Sequence, residues 1–102
     1  MDNQEVIMQL IVSGGNARSL SMQAIGEAKK GNISKAREMI KEALGELNNT
    51  HKIQTQLIQK EISGEGADIT LLMIHAQDHL MSAILVKDLA VEFIDLYENI
   101  IN

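Results

Sequence analysis

His75, Asp78 and His79 form the pattern H-x-x-D-H, which places two imidazoles and a carboxylate within two helical turns. Projected on a helix, these residues lie in the arc that also holds Leu71, Val86, Leu89 and Phe93. Ionisable groups on an apolar face cost several kcal/mol unless they are paired, hydrated or used chemically. The cluster is therefore the candidate functional site.

Three kinds of chemistry fit this cluster. Two imidazoles at i and i+4 with a nearby carboxylate could bind zinc or another transition metal. The same groups could form a hydrogen-bonded network that only fixes helix register. A neutral imidazole could also accept a phosphoryl group through a free ring nitrogen and pass it on. The spacing alone leaves all three open.

Polar residues and glycines also interrupt the other two segments. His51 and Gln54 interrupt the apolar stripe of the second helical segment, at a level that could face residues 75–79. For His51 a structural role in or at the edge of a bundle is favoured over direct chemistry. Gly14 and Gly15 weaken the first segment by about 1 kcal/mol each relative to alanine, which favours close backbone packing there.

Composition narrows the fold and the function. The 102 residues suffice for a single domain, 1–102, with no proline and only two aromatic residues. A net charge of −5 argues against nucleic acid as a partner. With no cysteine, no basic leader before a long apolar run and no apolar run of about 18 residues, we expect a cytoplasmic protein without direct membrane insertion.

Hydrophobic periodicity predicts three helices, at about 2–30, 33–62 and from Asp68 or Thr70 to near residue 101. Asp2 and Glu5 have capping-box spacing at the first start, and Gly31 with Asn32 is typical of a helix end followed by a new N-cap. Residues 63–67 form the clearest break. The three helical segments predict an all-α fold. Because the connections are short, neighbouring helices should be antiparallel, which gives an up-down-up three-helix bundle.

Three rods of about 45 Å make a thin bundle that cannot hide its apolar surface. The third segment is apolar over more than half its circumference, which favours a homo-oligomer built around it. The alternative is that this wide stripe packs under the other two helices.

Residues 71–81, LLMIHAQDHLM, closely resemble the signature of the lactose/cellobiose-type enzyme IIA family of the sugar phosphotransferase system (PTS). The resemblance continues through GGNARS at 14–19, HK at 51–52, QTQLIQKE at 54–61, SGEG at 63–66 and AVEFIDLYE at 90–98. Thr50 departs from the alanine expected before the histidine, outside the signature. Essentially the whole chain is similar to the family.

That resemblance implies a relay rather than a stand-alone enzyme. His75 would be the tele-phosphohistidine nucleophile, taking a phosphoryl group from the phosphocarrier HPr and handing it to a cysteine of enzyme IIB, coupled to the membrane component enzyme IIC. Gln77 and His79 would support the transfer. The family also implies a homotrimer, a nine-helix bundle, in which Asp78 binds a divalent structural metal, Mg²⁺ being the simplest choice, on the threefold axis.

Alanine at position 76 is more similar to the cellobiose or chitobiose branch than to the lactose branch, where glycine is expected. We therefore expect uptake of a β-linked disaccharide of the cellobiose or chitobiose kind. The rival hypotheses are a metal-binding helical protein and a helical adaptor without phosphotransfer.

Overall fold

A computed structural model of the chain describes residues 3–66 and 68–101. It contains α1 (Asn3–Lys29), α2 (Ile33–Ile62) and α3 (Leu71–Ile101), and the rest of the described chain forms turns and connections. Two short connections reverse the chain, so α1 and α3 run parallel and α2 runs antiparallel to both. The predicted all-α up-down-up bundle is confirmed, whereas the predicted cap Asp2 lies outside the described residues.

Two of the predicted helix boundaries have a clear local cause. Gly31 adopts a φ of 88°, the left-handed conformation that ends α1. At the start of α3 it is Thr70, not Asp68, whose hydroxyl accepts a hydrogen bond from a helix amide, that of Met73 at 3.1 Å. The α3 boundary therefore follows from ordinary capping chemistry.

Asn32 occupies the N-cap position of α2, but its side chain makes no capping hydrogen bond. The side-chain nitrogen Nδ2 of Asn32 instead donates a hydrogen bond to Glu27 Oε2 at 2.8 Å. This hydrogen bond, helped by the charges of Lys30 and Lys35, holds the pKa of the Glu27 carboxyl below its usual value. The side-chain cap predicted for Asn32 is thus replaced by a bond across the α1–α2 connection.

Small residues line the contact between the two parallel helices. Fully buried positions include Ala17, Ser21, Ala24 and Ala28 on α1, and Ala76, Ala83 and Ala90 on α3. Small side chains let the two backbones approach closely, while Leu10, Leu80 and Ile94 fill the remaining core. The bundle measures 53 × 20 × 19 Å, as thin as predicted.

Most of the large apolar residues of α3 face outward. We call the following residues the exposed apolar face of α3; each is between 44 and 83% exposed: Leu71, Ile74, Met81, Leu85, Leu89, Phe93, Leu96 and Ile100. These side chains stay largely exposed beside α1 and α2, so the stripe as a whole does not pack under the other helices. The described helices include none that is long and apolar enough to cross a membrane.

Candidate functional site

His75 and His79 meet on the second and third turns of α3. Their Nε2 atoms lie 3.1 Å apart, and their rings are edge-to-face, with centroids 4.5 Å apart and planes at 82°. A hydrogen bond at this distance requires one Nε2 to carry a proton and the other to offer its lone pair. His75 is exposed and His79 half-buried. The pair can therefore present a nucleophilic nitrogen at the surface beside a hydrogen-bond donor.

The backbone under this pair is held by α1. A Cβ atom placed on Gly14 would lie only 3.2 Å from the His79 carbonyl oxygen, so α1 and α3 touch backbone to backbone there. Ala76 and Leu80, both fully buried, anchor the same two turns of α3 in the core. The close packing predicted at Gly14 is confirmed, whereas Gly15 has open space around it. The imidazole pair thus stands on a tightly packed part of the bundle.

Gln77 faces a different neighbour from the imidazole pair. Its Oε1 accepts a hydrogen bond of 2.9 Å from Gln54 Nε2 on α2. Its own Nε2 points to Met73 Sδ at 3.8 Å, and Gln54 Nε2 also contacts Met81 Sδ at 3.5 Å. Gln54 therefore reaches α3, as predicted, but it meets Gln77 and not the two histidines.

His51 does not join the site. Its side chain is exposed, and the bond recorded for this residue is made by its backbone carbonyl, which accepts from the Thr55 hydroxyl at 3.1 Å. The favoured structural role, a histidine hydrogen-bonded in or at the edge of the bundle, is met only in its position, because the side chain makes no hydrogen bond to another described residue. Gln54, its neighbour in the predicted pair, supplies the contact between α2 and α3.

Asp78 lies among the residues of the exposed apolar face of α3. It is exposed, and no hydrogen bond or ion pair joins its carboxylate to another described residue. The residues one turn before and after it, Ile74 and Met81, are apolar and about half exposed. A single carboxylate in the middle of such a surface is costly to bury unless charge compensation accompanies the burial.

The described residues of one chain include no group of three or more His, Cys, Asp or Glu side chains that could hold a metal ion. His75 and His79 converge on each other, but Asp78 does not complete a three-ligand set with them. The hypothesis of a zinc site built from H-x-x-D-H within one chain is therefore not supported. Asp78 could offer a metal one carboxylate from this chain, and the remaining ligands would be water or groups of other chains.

A groove of about 310 Å³ lies between the end of α2 and the start of α3, on the side of Gln77. Its lining residues are Leu57, Ile58, Glu61, Asp68, Ile69, Met73, Ile74 and Gln77. The sequence analysis did not predict it, because the path of the connection between the helices sets its shape. Ile58 and Ile69, which line it, are both more than half exposed.

Comparison with known proteins defines the family. Residues 5–98 match the model of the PTS lactose/cellobiose-specific IIA subunit. The chain belongs to this family. Among its relatives, the lichenan-specific phosphotransferase enzyme IIA component of Bacillus subtilis is 52% identical over 95% of this chain and 88% of the relative. The N,N'-diacetylchitobiose-specific EIIA component of Escherichia coli K12 is 41% identical over 95% and 84%, respectively.

Solved structures agree with this assignment. The cellobiose-specific enzyme IIA of Bacillus anthracis superposes with a TM-score of 0.91 at 48% identity, covering 98% of this chain and 93% of that one. The chitobiose IIA chain of Escherichia coli, solved in complex with HPr, gives a TM-score of 0.84 at 35% identity over 100% and 99%. This IIA chain is therefore a component of a phosphotransferase, with the three-helix fold of its relatives.

Proposed function

We propose that this IIA chain carries a phosphoryl group on Nε2 of His75, receiving it from phosphorylated HPr and passing it to a cysteine of enzyme IIB. The observation that carries the proposal is the exposed His75 with its Nε2 3.1 Å from that of His79. The resemblance of LLMIHAQDHLM to the family signature supports the choice of His75. A relative of the same fold solved with HPr supports the donor.

The transfer needs little covalent help from the protein. The lone pair of His75 Nε2 attacks phosphorus, the new P–N bond forms, and the bond from phosphorus to the donor's ring nitrogen breaks, leaving its electron pair on the donor. In the second step the thiolate of enzyme IIB attacks the same phosphorus and the electron pair returns to His75. Rate then depends on in-line positioning and on dispersing the charge of the passing group.

His79 is the neighbour best placed to assist. If His75 presents the lone pair, the hydrogen bond requires the proton to be on His79 Nε2. A phosphoryl group that arrives on His75 Nε2 takes the place of this hydrogen bond. The N–H of His79 can then donate to one of the phosphoryl oxygens instead. Gln77, turned toward Gln54, would support the site through the packing of α2 on α3.

The transported sugar is proposed from relatives. The relatives are named for lichenan, cellobiose and N,N'-diacetylchitobiose, and one is named for galactose. Together with Ala76 in the signature, this favours a β-linked disaccharide of the cellobiose or chitobiose kind over lactose. Specificity itself would reside in the membrane component enzyme IIC, reached through enzyme IIB.

We further propose that three chains assemble through the exposed apolar face of α3, with Asp78 on the threefold axis. Three symmetry-related carboxylates would repel one another unless a cation is present, and an oxygen-binding divalent ion such as Mg²⁺ fits such a set. The Asp78 carboxylate, which has no partner among the described residues and has apolar neighbours one turn away on either side, fits this arrangement. The metal would be structural and takes no part in the transfer.

The decisive experiment follows labelled phosphate from phosphoenolpyruvate through enzyme I and HPr. The parent chain should acquire acid-labile phosphate, His75→Ala should acquire none, and His51→Ala, which removes an exposed histidine from α2, should be labelled as the parent is. Label persisting in His75→Ala, or absent from the parent, would exclude the proposal. The adaptor hypothesis predicts no label in any variant.

A further inference from the structure

A phosphoryl group on His75 brings a charge of about −1.5 to −2 to a chain whose net charge is already −5. The nearest charged neighbour in sequence is Asp78, which is also negative. His79 can donate one hydrogen bond, which leaves the other phosphoryl oxygens without a partner from α3. Proteins usually bind such oxygens with arginine or lysine, and arginine can bind two at once.

Four of the nine lysines and arginines already have acidic partners. The ion pairs are Lys30–Glu27, Lys35–Glu27, Lys87–Asp88, Arg37–Asp95 and Arg37–Glu98. Five cations remain, which are Arg18, Lys29, Lys41, Lys52 and Lys60. The last three lie on α2, which meets α3 on the side of Gln77, away from the imidazole pair. Within one chain, the candidates are therefore the two on α1.

The register between α1 and α3 places Arg18 close to the site. Gly14 lies against the carbonyl of His79, and the two helices are parallel. Arg18 begins one helical turn, about 6 Å, beyond that contact. Because side chains on a helix lean toward its N-terminus, the Arg18 side chain leans back to the level of Gly14 and His79.

The groove between α1 and α3 shows which edge of α1 faces the histidines. It has a volume of about 350 Å³ and is lined by Met22, Ile25, Lys29, Val86, Leu89, Phe93 and Tyr97. Arg18 precedes Met22 by one turn on the same edge of α1, and His79 precedes Val86 by two turns on the facing edge of α3. His75 precedes Phe93 by 18 residues, which is five full turns. Helical geometry therefore places Arg18 and the two histidines on the facing edges of α1 and α3, beyond the N-terminal end of this groove.

Arg18 is also free to act. Its side chain is exposed, and no hydrogen bond or ion pair ties it to any other described residue. Lys29 lies on the same edge of α1 but three turns farther from the site. We propose that the Arg18 guanidinium binds the oxygens of the phosphoryl group on His75, an assignment that rests on the proposed phosphocarrier function.

The test compares Arg18→Gln with Lys29→Gln, a matched loss of one positive charge on the same edge of α1. Transfer from phosphorylated HPr is followed by rapid quench, and the isolated phosphoprotein is examined by ³¹P NMR and by its rate of dephosphorylation. We expect Arg18→Gln to slow transfer by about ten- to about a hundredfold, to shift the phosphohistidine resonance and to change its lifetime. Lys29→Gln should match the parent, and Arg18→Lys should lie between, because it keeps the charge without the bidentate geometry.

The isolated phosphoprotein separates binding of the phosphoryl group from docking of HPr, since no partner is present in that measurement. If Arg18→Gln slows transfer but leaves the resonance and the lifetime unchanged, Arg18 belongs to a docking surface and the proposal is wrong. If Arg18→Gln equals Lys29→Gln while the parent is labelled, the proposal is wrong and the phosphocarrier function stands. A parent that is never labelled refutes the function itself. Urea unfolding checks that each variant is folded, and Arg18→Lys serves if Arg18→Gln is not.

Discussion

The contrast between His79 and Gln77 shows what residue spacing can and cannot predict. The i, i+4 spacing predicted that His75 and His79 share a face, and their Nε2 atoms are 3.1 Å apart. Gln77 lies two residues from His75, about 200° around the helix, so periodicity alone places it on the opposite side. It was grouped with the site only through the family resemblance. The bond to Gln54 could not be predicted, because it depends on how α2 sits against α3.

Replacing His79 and replacing Gln77 should therefore have different consequences. We expect His79→Ala to slow phosphoryl transfer to His75 by between about ten- and about a hundredfold, because a donor to the phosphoryl oxygens is lost. Gln77→Ala should leave transfer within about threefold and lower the free energy of unfolding by about 1 kcal/mol, since it removes the hydrogen bond to Gln54.

Rapid-quench transfer assays and urea unfolding of both variants test this pair of effects. If Gln77→Ala slows transfer as much as His79→Ala does and leaves the free energy of unfolding unchanged, the Gln77 amide contacts the phosphoryl group directly. No slowing by His79→Ala would show that the imidazole contact has no part in transfer.

At the scale of the elements, helix ends were predictable where backbone conformation decides them. Gly31 ends α1 with a positive φ that glycine adopts at no steric cost, and Thr70 caps α3 through its own hydroxyl. The side chain of Asn32 had two acceptable partners, the first amides of α2 or the carboxylate of Glu27. It binds Glu27. A choice between local and cross-connection bonds is set by tertiary geometry, which the sequence pattern does not contain.

One charged contact joins the start of α2 to the end of α3. Arg37 donates to Asp95 Oδ1 at 2.9 Å and to Glu98 Oε1 at 3.1 Å, and the hydrogen bond to Asp95 is the main cause that raises the pKa of the guanidinium. The three side chains are 41 to 51% exposed, so solvent screens the interaction. We expect Arg37→Gln to lower the free energy of unfolding by about 0.5–1 kcal/mol in dilute buffer.

This loss should disappear in about 1 M NaCl, where the screening length falls to about 3 Å. Lys41→Gln, one turn along α2 and without an ionic partner among the described residues, should change stability by less than about 0.5 kcal/mol at either salt concentration. The measurement is urea unfolding of parent and both variants at low and high salt. A loss in Arg37→Gln that persists undiminished in high salt would mean that packing of its aliphatic stem, not charge, joins the helices.

At the scale of the whole molecule, the sequence predicted how much apolar surface the bundle would leave outside but not what covers it. The width of the α3 stripe and the thinness of the bundle both follow from helical geometry, and the exposed apolar face of α3 confirms them. Which partner covers that face, and in what number, depends on complementarity between surfaces that periodicity does not describe. The trimer therefore stays a prediction that rests on family resemblance and on the placement of Asp78.

Asp78→Leu tests that prediction because it removes the carboxylate that lies between Ile74 and Met81 on this face. Removing three carboxylates that repel one another should retain the trimer or tighten it by about tenfold or more, since apolar replacement of buried charges is often stabilising by about 1–4 kcal/mol. The parent trimer should weaken when divalent metal is removed with a chelator, whereas the Asp78→Leu trimer should not respond.

Leu89→Asp, which adds a charge to the same face, should dissociate the assembly. Sedimentation equilibrium of the three proteins, with and without chelator, gives the masses. Monomeric Asp78→Leu beside a trimeric parent would place Asp78 away from the axis, and a trimeric Leu89→Asp would mean that a different surface holds the chains together.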